Sequence, residues 1–332
     1  MEPIRVLCVI PGEAEGVSMI FAKNQVISLQ RAGVITRTFF LASRTSLSVL
    51  INELQRFRRE ILLFKPDIVH AHYGTMTVFF CIIATRIPMV VTFRGNDLIL
   101  HPSISRLRSA IGILFSQIAA LRAKRIICVS DDLKDLLWWR RSRTDVIPSG
   151  IDTTVFYPFP RDKARSKLGW GKEERVVLFN IGRDPIRKRL DLAQSAIDVA
   201  MAICGEIRFV VLDGYVNQKG IPTIMNASDC LLCTSDSEGS PNIVKEAIAC
   251  NLPIVSVDVG DVRKRLEKVR PSKIVKRDRE EIGKAIAEIL MRSDRSNGFE
   301  TIQELSLDRI ATRILSVYKT VLRETRNEFG VS

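Results

Sequence analysis

The chain has 332 residues, 46% of them hydrophobic, which is enough for two domains that each bury a core. Its net charge is +13, and residues 1–150 carry most of the excess, with 20 Lys and Arg against 11 Asp and Glu. Such a surface attracts anionic lipid, nucleic acid or a charged substrate, and charge alone does not choose among them. The first apolar run, 4–10, is too short for a signal peptide, and no run reaches the roughly 18 apolar residues of a membrane-spanning helix. We therefore expect a cytoplasmic protein.

Both halves alternate short apolar strands with amphipathic helical stretches, which is typical of parallel α/β layers. In the first half the pattern predicts strands near 4–10, 35–41, 67–71, 89–93, 125–129 and 144–147, with helices near 17–32, 48–64, 103–122 and 131–140. In the second half it predicts strands near 175–181, 207–212, 229–233 and 253–257. The fold class is therefore α/β, with two doubly wound parallel-sheet domains facing across a cleft and ligands at the carboxyl ends of the strands. The Pro and Gly content of 148–158 predicts a linker between them.

The seven cysteines are scattered along the chain. Cys230 and Cys233 form the only close pair, and both fall in the predicted strand 229–233, where alternate residues face opposite sides. No second Cys or His pair stands at metal-ligand spacing. We interpret the pair as strand core and not as a redox or zinc site, and reduced cysteines fit a cytosolic protein.

The segment 235–246 carries the strongest chemical signal. Ser240 is a good N-cap and Pro241 suits the first position of a helix, so the order is strand, tight loop, helix. Such a loop aims free backbone N–H groups and a helix dipole at an anion above the strand end. Glu238 stands at the mouth of the loop, and Glu246 stands inside the helix, where a carboxylate can accept hydrogen bonds from sugar hydroxyls.

This Glu-x7-Glu segment, within 226–256, resembles the donor-binding signature of retaining glycosyltransferases of family 4, which have the GT-B fold. Segments 66–73, 129–132, 148–158 and 181–188 are similar to the family as well, so the resemblance covers nearly the whole chain. It implies an acceptor-side domain at 1–150 and a nucleotide-sugar-binding domain at 151–307, with a final helix near 308–325 that packs back on the first domain. It also implies a hexosyltransferase of the type that builds bacterial envelope polysaccharide.

The resemblance assigns roles to individual residues of the second half. Arg183 and Lys188 match the cations that hold the donor diphosphate, and a planar guanidinium and a compact ammonium suit phosphate oxygens. Glu246 matches the carboxylate that binds ribose hydroxyls, and Glu238 matches the acid beside the donor sugar. The segment made of Gly239, Ser240, Pro241 and Asn242 is expected to place its backbone near sugar hydroxyls and phosphates, with N–H donors from its residues other than the proline.

The first half is expected to supply the acceptor site. Gly16 is placed like the glycine loop that touches donor phosphates in the family. Arg94 stands where the family has a histidine near the reacting carbon, so it stabilises either phosphate or an acidic acceptor. Asp97 is a candidate ligand for a substrate hydroxyl and is grouped with the catalytic residues. Of the two histidines at the end of one strand, His72 is nearer the terminus than His70 and is the candidate ligand, with a structural role for both as the alternative.

No protein nucleophile is required, because in the family the acceptor attacks on the side that the diphosphate leaves. The chain has no Asp-x-Asp pair of the kind used by metal-dependent glycosyltransferases, so no essential metal or other cofactor is expected. The expected partners are a nucleotide-sugar and a glycan or lipid-linked acceptor. Residues 103–125 and 138–141 combine apolar and basic side chains, which suits an anionic membrane surface and equally a core-facing helix.

Three other functions stay open at this point. A sugar phosphorylase or epimerase shares the two-domain fold. A catalytically idle sugar- or nucleotide-binding relative is suggested by Arg94 and by the short connection 215–220, where many relatives have an extra helix and strand. Nucleic-acid binding is suggested by charge alone and is not expected, because aromatic residues do not interleave with the basic ones on a recognised reading element.

Overall fold

The computed structural model describes residues 3–16, 18–43, 46–100, 104–182, 184–214, 216 and 219–328. The chain divides into two compact units, one made of Met1–Gly150 with Leu307–Ser332 and the other of Ile151–Ser306. The chain first passes from one unit to the other after Gly150, inside the segment whose Pro and Gly content predicts a linker. We refer to the two parts as the N-terminal and C-terminal units.

The N-terminal unit is built on six parallel strands in the order β2-β1-β3-β4-β5-β6. All six match predicted strands to within two residues at each end. Apolar residues occupy successive positions in β1, β3 and β4 because helices cover both faces of a parallel sheet. The strands are β1 (Arg5–Pro11), β2 (Ile35–Leu41), β3 (Ile68–Ala71), β4 (Met89–Phe93), β5 (Arg125–Cys128) and β6 (Thr144–Val146).

The helices of this unit include one that the sequence pattern did not predict. They are α1 (Ile20–Arg31), α2 (Leu47–Phe64), α3 (Thr75–Ala84), α4 (Arg106–Arg122) and α5 (Asp131–Asp135). Helix α3 escaped prediction because its ten residues contain no charged side chain and so no polar face. The helix predicted over 131–140 ends at Asp135, and Arg140 has a φ of 64°, which a right-handed helix does not allow.

The C-terminal unit holds five parallel strands in the order β11-β10-β9-β7-β8. They are β7 (Val176–Asn180), β8 (Arg208–Leu212), β9 (Cys230–Cys233), β10 (Ile254–Val257) and β11 (Lys273–Val275). Both cysteines of β9 are buried and unpaired, as expected for strand core. Strand β11 was not predicted because it has three residues, begins with a lysine and is followed by Lys276 and Arg277.

The helices of the C-terminal unit are mostly short. They are α6 (Arg161–Leu168), α7 (Pro185–Lys188), α8 (Leu190–Cys204), α9 (Ile221–Ala227), α10 (Asn242–Ala249), α11 (Val262–Leu266), α12 (Arg279–Arg292) and α13 (Gly298–Thr301). Only eight residues, 213–220, separate β8 from α9 in the chain. In the sheet, β8 is the edge strand and pairs with β7. The prediction of two doubly wound parallel-sheet domains is confirmed.

The last helix, α14 (Leu307–Glu328), is part of the N-terminal unit and packs on α1. Its buried residues Ile310, Ile314, Val317 and Val321 recur every three or four positions, which is the core-facing stripe of an amphipathic helix. A polar contact adds to this packing, because the Tyr318 hydroxyl lies 2.6 Å from His70 Nδ1. None of the helices in the described ranges has both the length and the apolar character that crossing a membrane requires.

Candidate active site

A carboxylate held between two cations lies at the carboxyl ends of β7 and β9. Glu238 Oε1 accepts a hydrogen bond from Lys188 Nζ at 2.5 Å and lies 3.0 Å from an Arg187 guanidinium nitrogen. The side chains of Glu238 and Lys188 are each 11% exposed. Glu238 and Lys188, which were predicted separately as site residues, are in direct contact although 50 residues separate them in the chain.

Helix α7 positions both cations. Asp184 caps this single turn by accepting from the Arg187 backbone N–H at 3.3 Å, and it also accepts from Arg187 Nε at 3.0 Å. Arg187 then donates to the Ser237 carbonyl at 2.7 Å. On the other side, Thr234 Oγ1 donates to the Lys188 carbonyl at 2.8 Å. These bonds fasten the loop after β7 to the loop after β9.

The electrostatics keep Glu238 ionised. Burial acts to raise its pKa, but Lys188 and Arg187 outweigh burial and hold the pKa below its ordinary value. Sequence reasoning assigned no role to Arg187. The available signal was Asp184-Pro185 with Arg187 three positions after the aspartate, the spacing of a helix cap that also forms an ion pair.

The loop ahead of α10 differs from the prediction at one point. The helix begins at Asn242 and its N-cap is Pro241, whose ψ of 121° is extended and not helical. Ser240 is therefore outside the helix, and the prediction that it is the N-cap is wrong. Pro241 makes no side-chain capping hydrogen bond, so among the described residues the first N–H groups of α10 remain available to an anion. The Ser240 hydroxyl and the Asn242 amide oxygen are buried without a hydrogen-bond partner among the described residues.

Gly260, in the loop after β10, fixes the position of Gly239. Gly260 has a φ of 52°, and a Cβ there would lie 2.5 Å from the Gly239 carbonyl oxygen and 2.8 Å from that of Glu238. The Asp261 N–H also donates to the Gly239 carbonyl at 3.2 Å. Sequence reasoning missed Gly260, and the available signal was a glycine three residues after the end of a buried strand.

Glu246 lies on α10 and is half-buried. Burial raises its pKa to about 7, and the neighbouring Lys245 opposes this shift. No hydrogen bond or ion pair joins the Glu246 carboxylate to another residue in the described part of the chain. A carboxylate in this state gains from any ligand hydroxyl that donates to it.

Two further predicted site residues are Arg183 and Gly16. Arg183 lies outside the residues that the structure describes. Gly16 has a φ of 83° and is exposed, and its carbonyl accepts a hydrogen bond from Lys23 Nζ at 3.0 Å. Gly16 is thus held against α1 through Lys23, which lies on that helix.

In the N-terminal unit, Asp97 organises the loop after β4. Its carboxylate accepts from the backbone N–H groups of Gly95 at 2.8 Å and of Arg94 and Gly74 at 3.0 Å. Asp97 has no exposed surface. Burial raises the pKa of this carboxyl, and the backbone N–H donors act in the opposite direction. Asp97 therefore holds the loop in place through these backbone hydrogen bonds.

Arg94 and His72 meet beside that loop. The guanidinium donates to Ser149 Oγ at 2.6 Å, to Gln25 Oε1 at 3.0 Å and to His72 Nδ1 at 3.2 Å. His70 bonds Tyr318 and Thr92 and is buried, so it has the structural role, while His72 Nε2 has no partner among the described residues. Burial lowers the pKa of His72 well below its ordinary value, and both imidazoles are neutral.

Comparison with known proteins matches both units to glycosyltransferases. Residues 9–155 match the model of Glycosyltransferase Family 4, and residues 167–292 match the model of Glycosyl transferases group 1. Sucrose-phosphate synthase from Thermosynechococcus elongatus has a TM-score of 0.79 at 16% identity, over 97% of this chain and 100% of that one. Anabaena HepE in complex with UDP-glucose has a TM-score of 0.68 at 17% identity, over 96% and 100%. At these identities the structural likeness shows the fold alone.

Together the two family models span most of the chain, and its fold matches that of GT-B glycosyltransferase structures. A protein of Bacillus subtilis, named as the teichuronic acid biosynthesis glycosyltransferase TuaC, is 25% identical over 221 residues, which are 59% of this chain and 54% of that protein. The chain spans about half the length of the curated relatives it matches.

The contact at Gly260 generates a stability prediction. Gly260→Ala should lower the free energy of unfolding by about 1–3 kcal/mol more than Gly169→Ala, because the added methyl must push the Glu238–Gly239 backbone away. Gly169 is the matched control, since its φ of 68° imposes the same left-handed conformation with nothing within 4 Å of its Cβ. Urea unfolding of both variants measures the difference, and equal losses would contradict the close approach.

The raised pKa of Glu246 generates a pH prediction. Between its ordinary value of 4.5 and about 7, the folded protein holds a proton that the unfolded chain has lost, so this group destabilises the fold as pH rises. Glu246→Gln should therefore raise the melting temperature relative to the parent at pH 8, and by much less at pH 5. Melting curves of the two proteins at both pH values test this. The exposed Glu267→Gln is the control, and a pH-independent difference for Glu246→Gln would exclude a raised pKa.

Proposed function

We propose that this protein is a retaining glycosyltransferase that moves a sugar from a nucleotide-sugar donor to a glycan or lipid-linked acceptor of the cell envelope. The contact of Glu238 with Lys188 and Arg187, beside the uncapped start of α10, is the observation that carries the proposal. The presence of UDP-glucose in the Anabaena HepE structure supports a UDP-sugar as the first donor to test. The name of TuaC supports an envelope polysaccharide as the acceptor.

The donor diphosphate competes with Glu238 for the two cations. Without ligand, Asp184 and Glu238 balance Arg187 and Lys188, so this cluster carries no net charge. A diphosphate brings at least two charges and also accepts from the N–H groups at the start of α10, so it displaces the single Glu238 carboxylate from Lys188. Glu238 is then released toward the hydroxyls of the donor sugar, and Glu246 accepts from the ribose hydroxyls.

Transfer then needs no protein nucleophile. The bond between the anomeric carbon and the diphosphate oxygen breaks while the acceptor hydroxyl oxygen bonds to that carbon on the same face. A phosphate oxygen takes the hydroxyl proton, and the nucleoside diphosphate leaves. Lys188 and Arg187 stabilise the charge that develops on the leaving oxygen, which is the role that a metal ion has in other transferases. We propose on this ground that no metal is essential.

The donor site generates the test of this function. Thermal-shift titrations with UDP-glucose and related nucleotide-sugars, without added metal and with a chelator present, should show stabilisation by one donor. Glu246→Ala should weaken that shift because the ribose loses its acceptor. Lys188→Ala should lower turnover with an acceptor at least about tenfold, a loss of roughly 1.4 kcal/mol of barrier stabilisation.

Lys284→Ala, on α12, is the matched control and should behave like the parent. Donor binding without transfer to any envelope acceptor would favour an idle relative. Conversion of the donor without an acceptor would favour an epimerase, and full activity of Lys188→Ala would exclude the proposed phosphate clamp.

Membrane attachment is the second part of the proposal, and it derives from α4. This helix presents its apolar side to solvent, with exposed fractions from 37% at Ile118 to 72% at Leu107. At 100° per residue the exposed side chains fall within an arc of about 80°. The opposite side is buried and is polar or small. The exposed stripe consists of Leu107, Ile111, Leu114, Ile118 and Leu121, and the buried side of Ser109, Ser116, Gln117, Ala119 and Ala120.

Charge supports an anionic lipid surface as the partner of this stripe. The sequence from Leu98 to Ser130 contains no Asp or Glu, and Arg106, Arg108 and Arg122 flank the stripe on both sides. The exposed Trp138 is held beside α4, since its backbone N–H donates to Gln117 Oε1 at 3.1 Å. Apolar side chains bordered by arginine and tryptophan suit the interface between headgroups and acyl chains.

Vesicle flotation tests the attachment. The protein should float with phosphatidylcholine vesicles that contain phosphatidylserine and not with phosphatidylcholine alone, and added salt should weaken binding. The triple variant Leu107→Ser, Leu114→Ser, Ile118→Ser should stay with the unbound protein. Its control replaces three exposed apolar residues of the C-terminal unit, Met201, Ile203 and Met291, by serine and should bind like the parent. Equal binding of both triple variants would exclude α4 as the contact.

A further inference from the structure

Arg94 is a cation without a carboxylate partner. No ion pair joins it to any acid in the described part of the chain, and each of its three hydrogen-bond acceptors is neutral, being a serine hydroxyl, a glutamine oxygen and an imidazole nitrogen. Asp97 is the acid that acts on it through space, but that carboxylate already accepts from three backbone N–H groups. Arginines removed from water are normally paired with an anion, because desolvation of the guanidinium is costly.

The atoms around Arg94 that lack a partner are all hydrogen-bond donors. His72 Nδ1 contacts the guanidinium, which has no lone pair to accept with, so Nδ1 is the acceptor and the proton of the neutral ring is on Nε2. Gln25 Oε1 faces the same guanidinium, which leaves its Nε2 amide unpaired. Arg94 Nε, His72 Nε2 and Gln25 Nε2 are buried and have no acceptor within the described ranges, and the residues His72 and Gln25 are 0% and 3% exposed.

One donor on the Arg94 guanidinium and two donors beside it lack acceptors among the described residues, and this shows what chemical group would complete the cluster. A neutral hydroxyl needs an acceptor as well as donors, whereas a carboxylate or phosphate oxygen only accepts. The Phe21 ring covers the guanidinium, with Arg94 Cζ 4.6 Å from the ring centroid, so one face of the cation is closed by an apolar wall. The unpaired donors and the positive charge of the guanidinium would both be satisfied by an anion.

We propose that the Arg94 cluster, made of Arg94, His72 and Gln25, binds an anionic group of the sugar substrate, a carboxylate or a phosphate. This assignment rests on the proposed glycosyltransferase function and narrows it to acidic sugars, such as a uronic acid residue or a sugar phosphate in the acceptor. The cluster belongs to the N-terminal unit, whereas Lys188, Glu238 and Glu246 belong to the C-terminal unit, so the two sites can be tested separately.

Binding measurements on the whole protein test the proposal with three probes. Glucuronate carries a carboxylate, glucose 6-phosphate carries a phosphate, and glucose carries neither. At equal ionic strength, ligand-observed NMR should show the better anionic probe binding at least about tenfold more tightly than glucose. The anionic probe that binds more tightly shows whether the cluster prefers a carboxylate or a phosphate on the sugar. UDP binding is measured on the same samples.

Arg94→Gln should remove the preference for anionic probes and leave UDP affinity unchanged. Arg94→Lys keeps the charge without the planar fork and should retain part of the preference. The exposed Arg58→Gln, in the same unit, removes an equal charge and should change nothing. Arg94→Met should melt no lower than the parent if the cation serves a ligand, whereas a purely structural arginine would lower the melting temperature.

Each outcome decides the proposal. Anionic probes that bind no better than glucose to the parent, or a preference that survives Arg94→Gln, would overturn it. If the parent prefers the anionic probes but does not bind UDP, the proposed donor site is refuted and the proposal for the Arg94 cluster is supported.

Discussion

The parallel direction of every strand is the constraint on which both candidate sites depend. Because all strands of a parallel sheet end at one edge, loops that are far apart in sequence meet there. In the N-terminal unit this edge gathers His72, Arg94 and Ser149 from the ends of β3, β4 and β6. In the C-terminal unit it gathers the cations after β7 with Glu238 after β9, while Gly260 after β10 presses against the same loop. None of these contacts is local, so each exists only once its sheet has formed.

The two clusters manage buried charge in opposite ways. Lys188 and Arg187 are neutralised by acids of the protein itself. A ligand must therefore carry enough charge to displace Glu238 and to offset the free energy of the ion pairs that break. The partners of Arg94 in the described part of the chain are all neutral, so an anion that reaches it breaks no ion pair with them. The first arrangement favours a multiply charged group such as a diphosphate, and the second accepts a single charge.

The sequence predicted all six strands of one sheet and four of the other, because buried parallel strands are apolar runs between turn residues. It missed α3, which has no polar face, and β11, which is short and begins with lysine. It named Lys188, Glu238 and Glu246 as candidate site residues by motif, and the fold brings Lys188 and Glu238 into contact. It did not identify Arg187, Gly260 or the positioning role of Asp97, since these depend on which backbone groups lie opposite in the folded loops. A sequence pattern gives a residue's neighbours in the chain, and these three depend on neighbours in space.

For helix α4 too, the sequence pattern does not show which side is buried. The helix also contacts the loop that Asp97 holds in the N-terminal unit. Its amphipathic pattern fits a core-facing helix equally well, and only the packing shows that the polar side is the buried one. That buried side has a specific contact, because Ser116 Oγ accepts from the Thr75 N–H at 2.7 Å, and the adjacent Gly74 N–H donates to Asp97. A Cβ at Gly74 would lie 2.4 Å from Ser116 Oγ and 2.8 Å from Asp97 Cβ, so the helix, the glycine and the aspartate are in close contact. Asp97 in turn holds the backbone of Arg94, so the surface assigned to lipid and the cluster assigned to the acidic sugar are linked by one short chain of contacts.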